Sequence, residues 1–174
     1  MTLFDFFQAT ELPAPAVSAD DAVRIVRERF GLDVTVRPLG SQQDANFLLI
    51  GADAPVGVLK IANPAFSRVE IEAQDAAAAF IARTCTDGPT RVRVADNVTP
   101  PGVPPIAEIP DGSGGVLYAR IITYLPGGTM SGERYVAPQH WAALGALAGR
   151  VSRALTGFDH PGVDRVLQCD LQHT

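Results

Sequence analysis

The apolar period of this chain switches from helical to two at Val34 and back after Pro64, and this alternation constrains the fold more than any other feature. Before the switch, Ala22, Val23, Val26 and Phe30 recur at helical spacing. Ser18, with Asp21 three residues on, opens that run, and Gly31 closes it. Inside the switch lie three β-rich runs parted by turn residues: Val34-Thr-Val-Arg-Pro-Leu39, Asn46-Phe-Leu-Leu-Ile50 and Val56-Gly-Val-Leu-Lys-Ile61. After it, residues 67–83 are strong helix formers, with Val69, Ala73, Ala76, Ala77 and Phe80 on the apolar side. Three short runs with tight connections can pair only as an antiparallel meander, and the helices must pack on its faces.

Downstream the pattern is sparser. Residues 90–98 can form a short strand before Pro100, Pro101, Pro104 and Pro105 break the chain. Asp111-Gly-Ser-Gly-Gly115 is a turn whose hairpin arms are Ile106 to Ile109 and Val116 to Leu125. Beyond Pro138, Trp141, Leu144, Ala148, Val151 and Leu155 mark a third helix that ends near Gly157. The order predicts an α+β fold with an antiparallel sheet. Residues 1–17 read as an extended lead-in that packs through Leu3, Phe4, Phe6 and Phe7, 18–128 as the main lobe, and 129–174 as a linker and the start of a second lobe.

Composition narrows the function classes. A formal charge of −5 argues against a nucleic-acid partner. No apolar run approaches a membrane span of about 18 residues, and Met1 to Phe7 lacks a basic flank, so a soluble, cytoplasmic chain is expected. Cys85 and Cys169 are far apart with no metal-binding spacing, so neither a disulfide framework nor a metal site is expected.

Of the fourteen basic residues, thirteen are arginine, and the single lysine is Lys60. In the third β-run it shares a face with Val56, Val58 and Ala62, opposite Leu59 and Ile61. A lysine in an apolar row can snorkel to water. A lysine where every other cation is arginine instead suggests a compact point charge for phosphate oxygens, or an amine for a Schiff base, and phosphate is the better match. Glu70 and Glu72 follow on the next helix, which is the order found where a strand lysine pairs with nucleotide phosphates and a helix glutamate. Either carboxylate could equally lie on a solvated helix face. The preceding loop, Gly40-Ser-Gln-Gln-Asp-Ala-Asn46, lacks the spacing of a Walker loop and reads either as a polar hairpin or as a phosphate cover.

Taken in order, Gly40-Ser-Gln-Gln-Asp-Ala-Asn-Phe47, Val58-Leu-Lys-Ile-Ala-Asn-Pro64, Glu72-Ala-Gln74, Ile121-Ile-Thr-Tyr-Leu-Pro126 and Gly157-Phe-Asp-His-Pro161 resemble the amino-terminal part of aminoglycoside-phosphotransferase/choline-kinase-like enzymes. The nearest variant is the hydroxylysine-kinase type, including versions fused ahead of a class III aminotransferase. The resemblance runs from about Val34 to the last residue and implies a protein-kinase-like N-lobe, a five-stranded antiparallel sheet with one C-type helix, followed by the first helix of an incomplete C-lobe. It implies that Lys60 binds the α/β-phosphates of ATP and that Glu72 pairs with it, with Glu70 as the alternative. It places Ser41 and Asn46 in the phosphate-covering loop, Val58 against adenine, and Thr123, Tyr124 and Leu125 in the hinge. ATP, Mg²⁺ and a small hydroxyl-bearing acceptor are the implied ligands of the parent enzyme.

Such enzymes also need an H-x-D-x-x-x-x-N loop whose Asp takes the acceptor proton and whose Asn holds the metal. No such segment occurs here. His140, His160 and His173 sit in other contexts and read as structural or surface residues. The expectation is therefore a nucleotide-binding lobe that is inactive alone and self-associates through the third helix. A non-catalytic module with the same fold is the alternative.

Overall fold

The computed structural model describes residues 12, 14–86, 92–127 and 135–164. The opening helix α1 (Ala19–Phe30) begins where the sequence places it. Ser18 Oγ accepts the Asp21 N–H at 3.1 Å, and the Asp21 carboxylate accepts the Ser18 N–H at 3.3 Å. This capping box satisfies N–H groups that have no partner within the helix. Gly31 ends the helix in the left-handed region at φ 66°, where only glycine sits without strain.

Five strands follow in a single antiparallel sheet: β1 (Thr35–Leu39), β2 (Ala45–Ile50), β3 (Pro55–Ile61), β4 (Ala107–Pro110) and β5 (Val116–Ile122), in spatial order β1-β2-β3-β5-β4. The expected α+β architecture with an antiparallel sheet is what the chain adopts. The period of two sorts the side chains. Phe47, Leu49, Leu59, Ile61, Leu117, Ala119 and Ile121 face α1 and close a core with its Ala22, Ile25, Val26 and Phe30. Full burial of each such large side chain contributes about 1.5–3 kcal/mol, so this layer dominates the stability of the lobe. Gly57 lets β3 and β5 close up, since a Cβ there would lie 2.8 Å from Ile121 Cγ2.

The opposite face carries helix α2 (Arg68–Thr84). Its own capping box uses Glu70, whose carboxylate accepts the Ser67 N–H at 2.6 Å and Oγ–H at 2.8 Å. Beside its first turns Leu12, Ala62, Phe66, Ile71 and Ile106 form a second, smaller apolar cluster, with Tyr118 of β5 against it.

Two expectations need correction. The run at 92–98 is not a strand: one bridge, Asn97 to Ile122, is all its pairing. Its hydrogen bonds, Val98 N–H to Ile121 O at 2.9 Å and Thr123 N–H to Asp96 O at 2.8 Å, tack it beside the end of β5. The Asn97 side chain is drawn aside to Asp75 and the Pro105 carbonyl, and the prolines beyond cannot extend a ladder. The second hairpin arm stops at Ile122 instead of Leu125, because the β3 pairing ends at Val58 and Thr123 turns to Asp96.

Helix α3 (Pro138–Ala154) is followed by two 3₁₀ turns, Leu155–Gly157 and Pro161–Val163. The second turn docks on α2. The Phe158 ring lies 5.5 Å from that of Phe80, and the His160 ring stacks on Phe158 while its Nδ1 accepts the Gly162 N–H at 3.1 Å. His160 is thus structural, as expected. No residue of α3 is buried. The apolar residues expected in the lead-in, Leu3 to Phe7, and the tail beyond Asp164, which includes Cys169 and His173, lie outside the described residues.

Candidate functional site

On the sheet face opposite α1, strand register sets Asn46 of β2, Lys60 of β3 and Arg120 of β5 in one row, with Leu48, Val58 and Ile122 in the next. The residues that the sequence singled out on β2 and β3 therefore do share a surface. The Lys60 side chain is 23% exposed, so its apolar stem is covered while the ammonium reaches the loop at the sheet edge.

That loop, residues 40–46, is tied to the end of β3. Lys60 Nζ forms a salt bridge with Asp44 Oδ2. Asp44 Oδ1 accepts the Asn63 N–H at 3.1 Å, and Ser41 Oγ accepts the Asp44 N–H at 3.1 Å. Asn63, only 2% exposed, donates its side-chain amide to the Gln43 carbonyl at 2.9 Å and accepts the Ala65 N–H at 3.0 Å. Asn46 Oδ1, in the Lys60 row, is the buried side-chain polar atom among the described residues that has no hydrogen-bond partner.

Arg120, 4% exposed, sits directly across from Lys60. Its Nη1 donates to the Ile71 carbonyl at 3.0 Å and to Asp75, and its Nη2 donates to Gln74 Oε1 at 2.5 Å. Burial lowers the pKa of this guanidinium from its ordinary value, and the carboxylates of Asp75 and then Asp44 act against that drop.

The expected pair of Lys60 with Glu72 does not form. Glu72 Oε1 accepts from Arg68 Nε at 2.9 Å, one helical turn away, and Arg68 reaches on to Glu108 at 2.9 Å. These bonds, Glu72 first, raise the Arg68 pKa. The cause is helix phase: Ile71, Gln74 and Asp75 face the sheet, and one step of about 100° from Ile71 swings Glu72 towards solvent. Glu70 serves the cap of α2. The buried helix-to-sheet ion pair is Asp75 with Arg120, one strand over from the expected position, while Arg68 with Glu108 joins α2 to β4 in a more exposed setting.

Thr123, Tyr124 and Leu125, expected to form the hinge, lie at the other end of this surface. Thr123 binds the Asp96 carbonyl through N–H at 2.8 Å and Oγ at 3.2 Å. Thr123 and Leu125 line a cavity of about 240 Å³ with Ala82, Val92, Val94 and Asp96. A larger groove of about 520 Å³ runs between α2, from Glu72 to Arg83, and residues 96–106, with Glu72, Asp75 and Asn97 on its walls. Neither takes in Lys60, Asn46, Ser41 or Val58, and Tyr124 is half-buried outside both. Among the described residues no cluster of His, Cys, Asp and Glu could hold a metal, and no helix is long and apolar enough to cross a membrane.

Asp44, Asn63, Asp75 and Arg120 were not singled out from the sequence. Arg120 had a readable signal: it interrupts the apolar run of β5 just as Lys60 interrupts that of β3. Asp44 and Asn63 lie inside segments that carry the resemblance, but nothing there marks either as a partner of this lysine, since loop polarity is ordinary.

No family model matches the chain. It is 29% identical over 164 residues to hydroxylysine kinase of Danio rerio, an alignment covering 92% of this chain and 44% of that one. It is 32% identical over 174 residues to hydroxylysine kinase of Bos taurus, with the same coverage of each. The Mus musculus hydroxylysine kinase is 30% identical over 168 residues, covering 89% and 43%. The chain thus spans less than half the length of these relatives. Among solved structures, amicoumacin kinase hAmiN, in complex with AMP-PNP, Ca²⁺ and Ami, superposes with a TM-score of 0.54 at 20% identity, over 72% of this chain and 36% of that one. The five-stranded sheet with its crossing helix is the N-lobe of a kinase-like fold.

Proposed function

The chain belongs to the aminoglycoside phosphotransferase/choline kinase-like family, and from that premise we propose that it is the nucleotide-binding lobe of an ATP-dependent kinase that phosphorylates a hydroxyl group of a small molecule. The observation that carries this reading is the placement of the sole lysine: Lys60 stands on the inner face of the sheet, joined to the loop that precedes β2 and level with Asn46. An ammonium there, with donors to spare, suits the oxygens of a polyphosphate.

In this reading Lys60 orients the α/β-phosphates, and the backbone of residues 40–46 with Ser41 and Asn46 covers them. Val58 meets the adenine, and Thr123 to Leu125 supply its edge contacts. Mg²⁺ would enter with the nucleotide and supply positive charge there, since no cluster of His, Cys, Asp and Glu among the described residues would hold it. Positioning and charge stabilisation do most of the work in phosphoryl transfer, so a lobe that only holds the nucleotide is a sensible unit. The 174 residues contain no H-x-D-x-x-x-x-N segment, so the reading assigns them nucleotide binding and not the transfer itself. Amino alcohols, hydroxylated amino acids and aminoglycosides are the acceptor classes to screen with the parent enzyme. A cytoplasmic location and self-association through α3 complete the proposal.

The test is a thermal-shift and calorimetric titration of the chain with Mg²⁺-ATP and Mg²⁺-GTP, on wild type and on Lys60→Ala. The wild type should be stabilised by at least one nucleotide, and Lys60→Ala should bind at least about tenfold more weakly, the loss of one charge-assisted contact. Equal affinity in the two proteins would sink the assignment.

A further inference from the structure

Lys60 and Arg120 are direct register partners on β3 and β5, and like charges so placed repel. Each cation has its own carboxylate, from a different element. Arg120 takes Asp75, together with Gln74, from α2. Lys60 takes Asp44 from the β1–β2 loop. Asp44 is no loose surface group: its side chain is 13% exposed, its second oxygen is bound to the Asn63 N–H at 3.1 Å, and its own N–H is bound to Ser41 Oγ at 3.1 Å. Asn63 then clamps the Gln43 carbonyl, so the carboxylate is fixed from both sides. On α2, Glu72 is turned to Arg68 and Glu70 to the Ser67 cap.

We infer that Asp44 is the positioning residue for Lys60, taking the part expected of a helix glutamate, so that the phosphate-covering loop and not α2 aligns the ammonium. The inference rests on the reading of Lys60 as a phosphate ligand. Two consequences follow from the geometry. One ammonium proton is committed to Asp44, which leaves two for phosphate oxygens. Helix α2 is tethered separately through Arg120, so loop order and lysine orientation form one unit while helix position is set by another.

Because the chain holds one lysine, ¹⁵N-lysine labelling gives a single side-chain ammonium resonance, a readout that a merely structural role at a distance would not move. The measurements are that resonance and the Mg²⁺-ATP dissociation constant, in wild type, Asp44→Asn, Asp44→Glu and Glu72→Gln. Asp44→Asn should move the free-state resonance and weaken ATP about tenfold, Asp44→Glu should restore part of both, and Glu72→Gln should leave both as in wild type. If ATP fails to move the wild-type resonance, the nucleotide reading falls, and this inference with it. If ATP moves it but Asp44→Asn matches wild type, or Glu72→Gln has the effect expected of Asp44→Asn, the positioning role alone is overturned. Should Asp44→Asn not fold, Asp44→Glu decides, since a carboxylate displaced by one methylene must still shift the resonance.

Discussion

Gly162 is pressed against the backbone of Val69: a Cβ at Gly162 would lie 2.2 Å from the Val69 carbonyl oxygen and 2.9 Å from Ala73 Cβ. The turn at Pro161–Val163 therefore docks on α2 backbone to backbone, and no rotamer change can relieve an added methyl. Gly162→Ala should destabilise the chain by about 1–3 kcal/mol, the usual cost of overpacking. Gly149→Ala is the control. Nothing lies within 4 Å of a Cβ there, on an exposed helix, so that change should stabilise by about 0.5–1 kcal/mol. Urea denaturation of both variants checks the pair, and equal midpoints would contradict the docking.

Arg120 predicts a different kind of loss. Replacing it with methionine leaves Asp75 and Gln74 facing a half-buried gap, and removal of one partner of a buried pair costs about 3 kcal/mol. The second change, Asp75→Leu, removes the stranded carboxylate. The double variant Arg120→Met/Asp75→Leu should therefore recover most of the loss, since an apolar replacement of both partners is often neutral. A double-mutant cycle by chemical denaturation gives the coupling, and additive effects would show that the two residues act apart.

These residues also show what could be read from the chain. Strand period, helix-former content and one capping signal placed α1, β1–β3 and α2, because each depends on neighbours in sequence: Ser18 with Asp21, the helix formers over residues 67–83, Leu59 alternating with Lys60. Lys60 was legible because a lone lysine in an apolar strand is a local anomaly. Its partner was not. Asp44 and Glu72 are both acidic residues within reach of Lys60 in sequence, and only the phase of α2 and the fold of the loop choose between them. At residues 90–98 the sequence predicts a short strand where a single bridge at Asn97 forms, because local β-rich character does not show whether a partner continues the ladder.

Acid should weaken the cap of α1. Hydrogen bonds from Ser18, then Arg24, hold the Asp21 carboxyl well below its ordinary value, at about 2. A depressed folded-state pKa contributes stability that is complete above the unfolded value near 3.9 and is lost as pH falls through the folded value. The Asp21→Asn variant lacks that titration. Its melting temperature should therefore fall less steeply than that of wild type between about pH 4 and pH 2, as followed by circular dichroism in low salt. Parallel curves would show that the cap does not hold in solution.

The exposed face of α3 carries the last prediction. Trp141, Leu144 and Leu147 recur at steps of three on this helix and are 57%, 44% and 41% exposed. Apolar side chains in such a row gain by leaving water, at about 25 cal/mol per Å² buried, and a second copy offers the same row in return. Trp141 is the only tryptophan in the chain, so its emission reports burial of this face directly. Emission should shift to the blue, and the sedimentation coefficient should rise, as concentration increases. Leu144→Glu with Leu147→Glu should abolish both changes while leaving the melting temperature within about 4 °C, since two surface substitutions together alter stability by only about 1 kcal/mol. A monomer at every concentration, with red-shifted emission throughout, would show that α3 does not pair with its own kind.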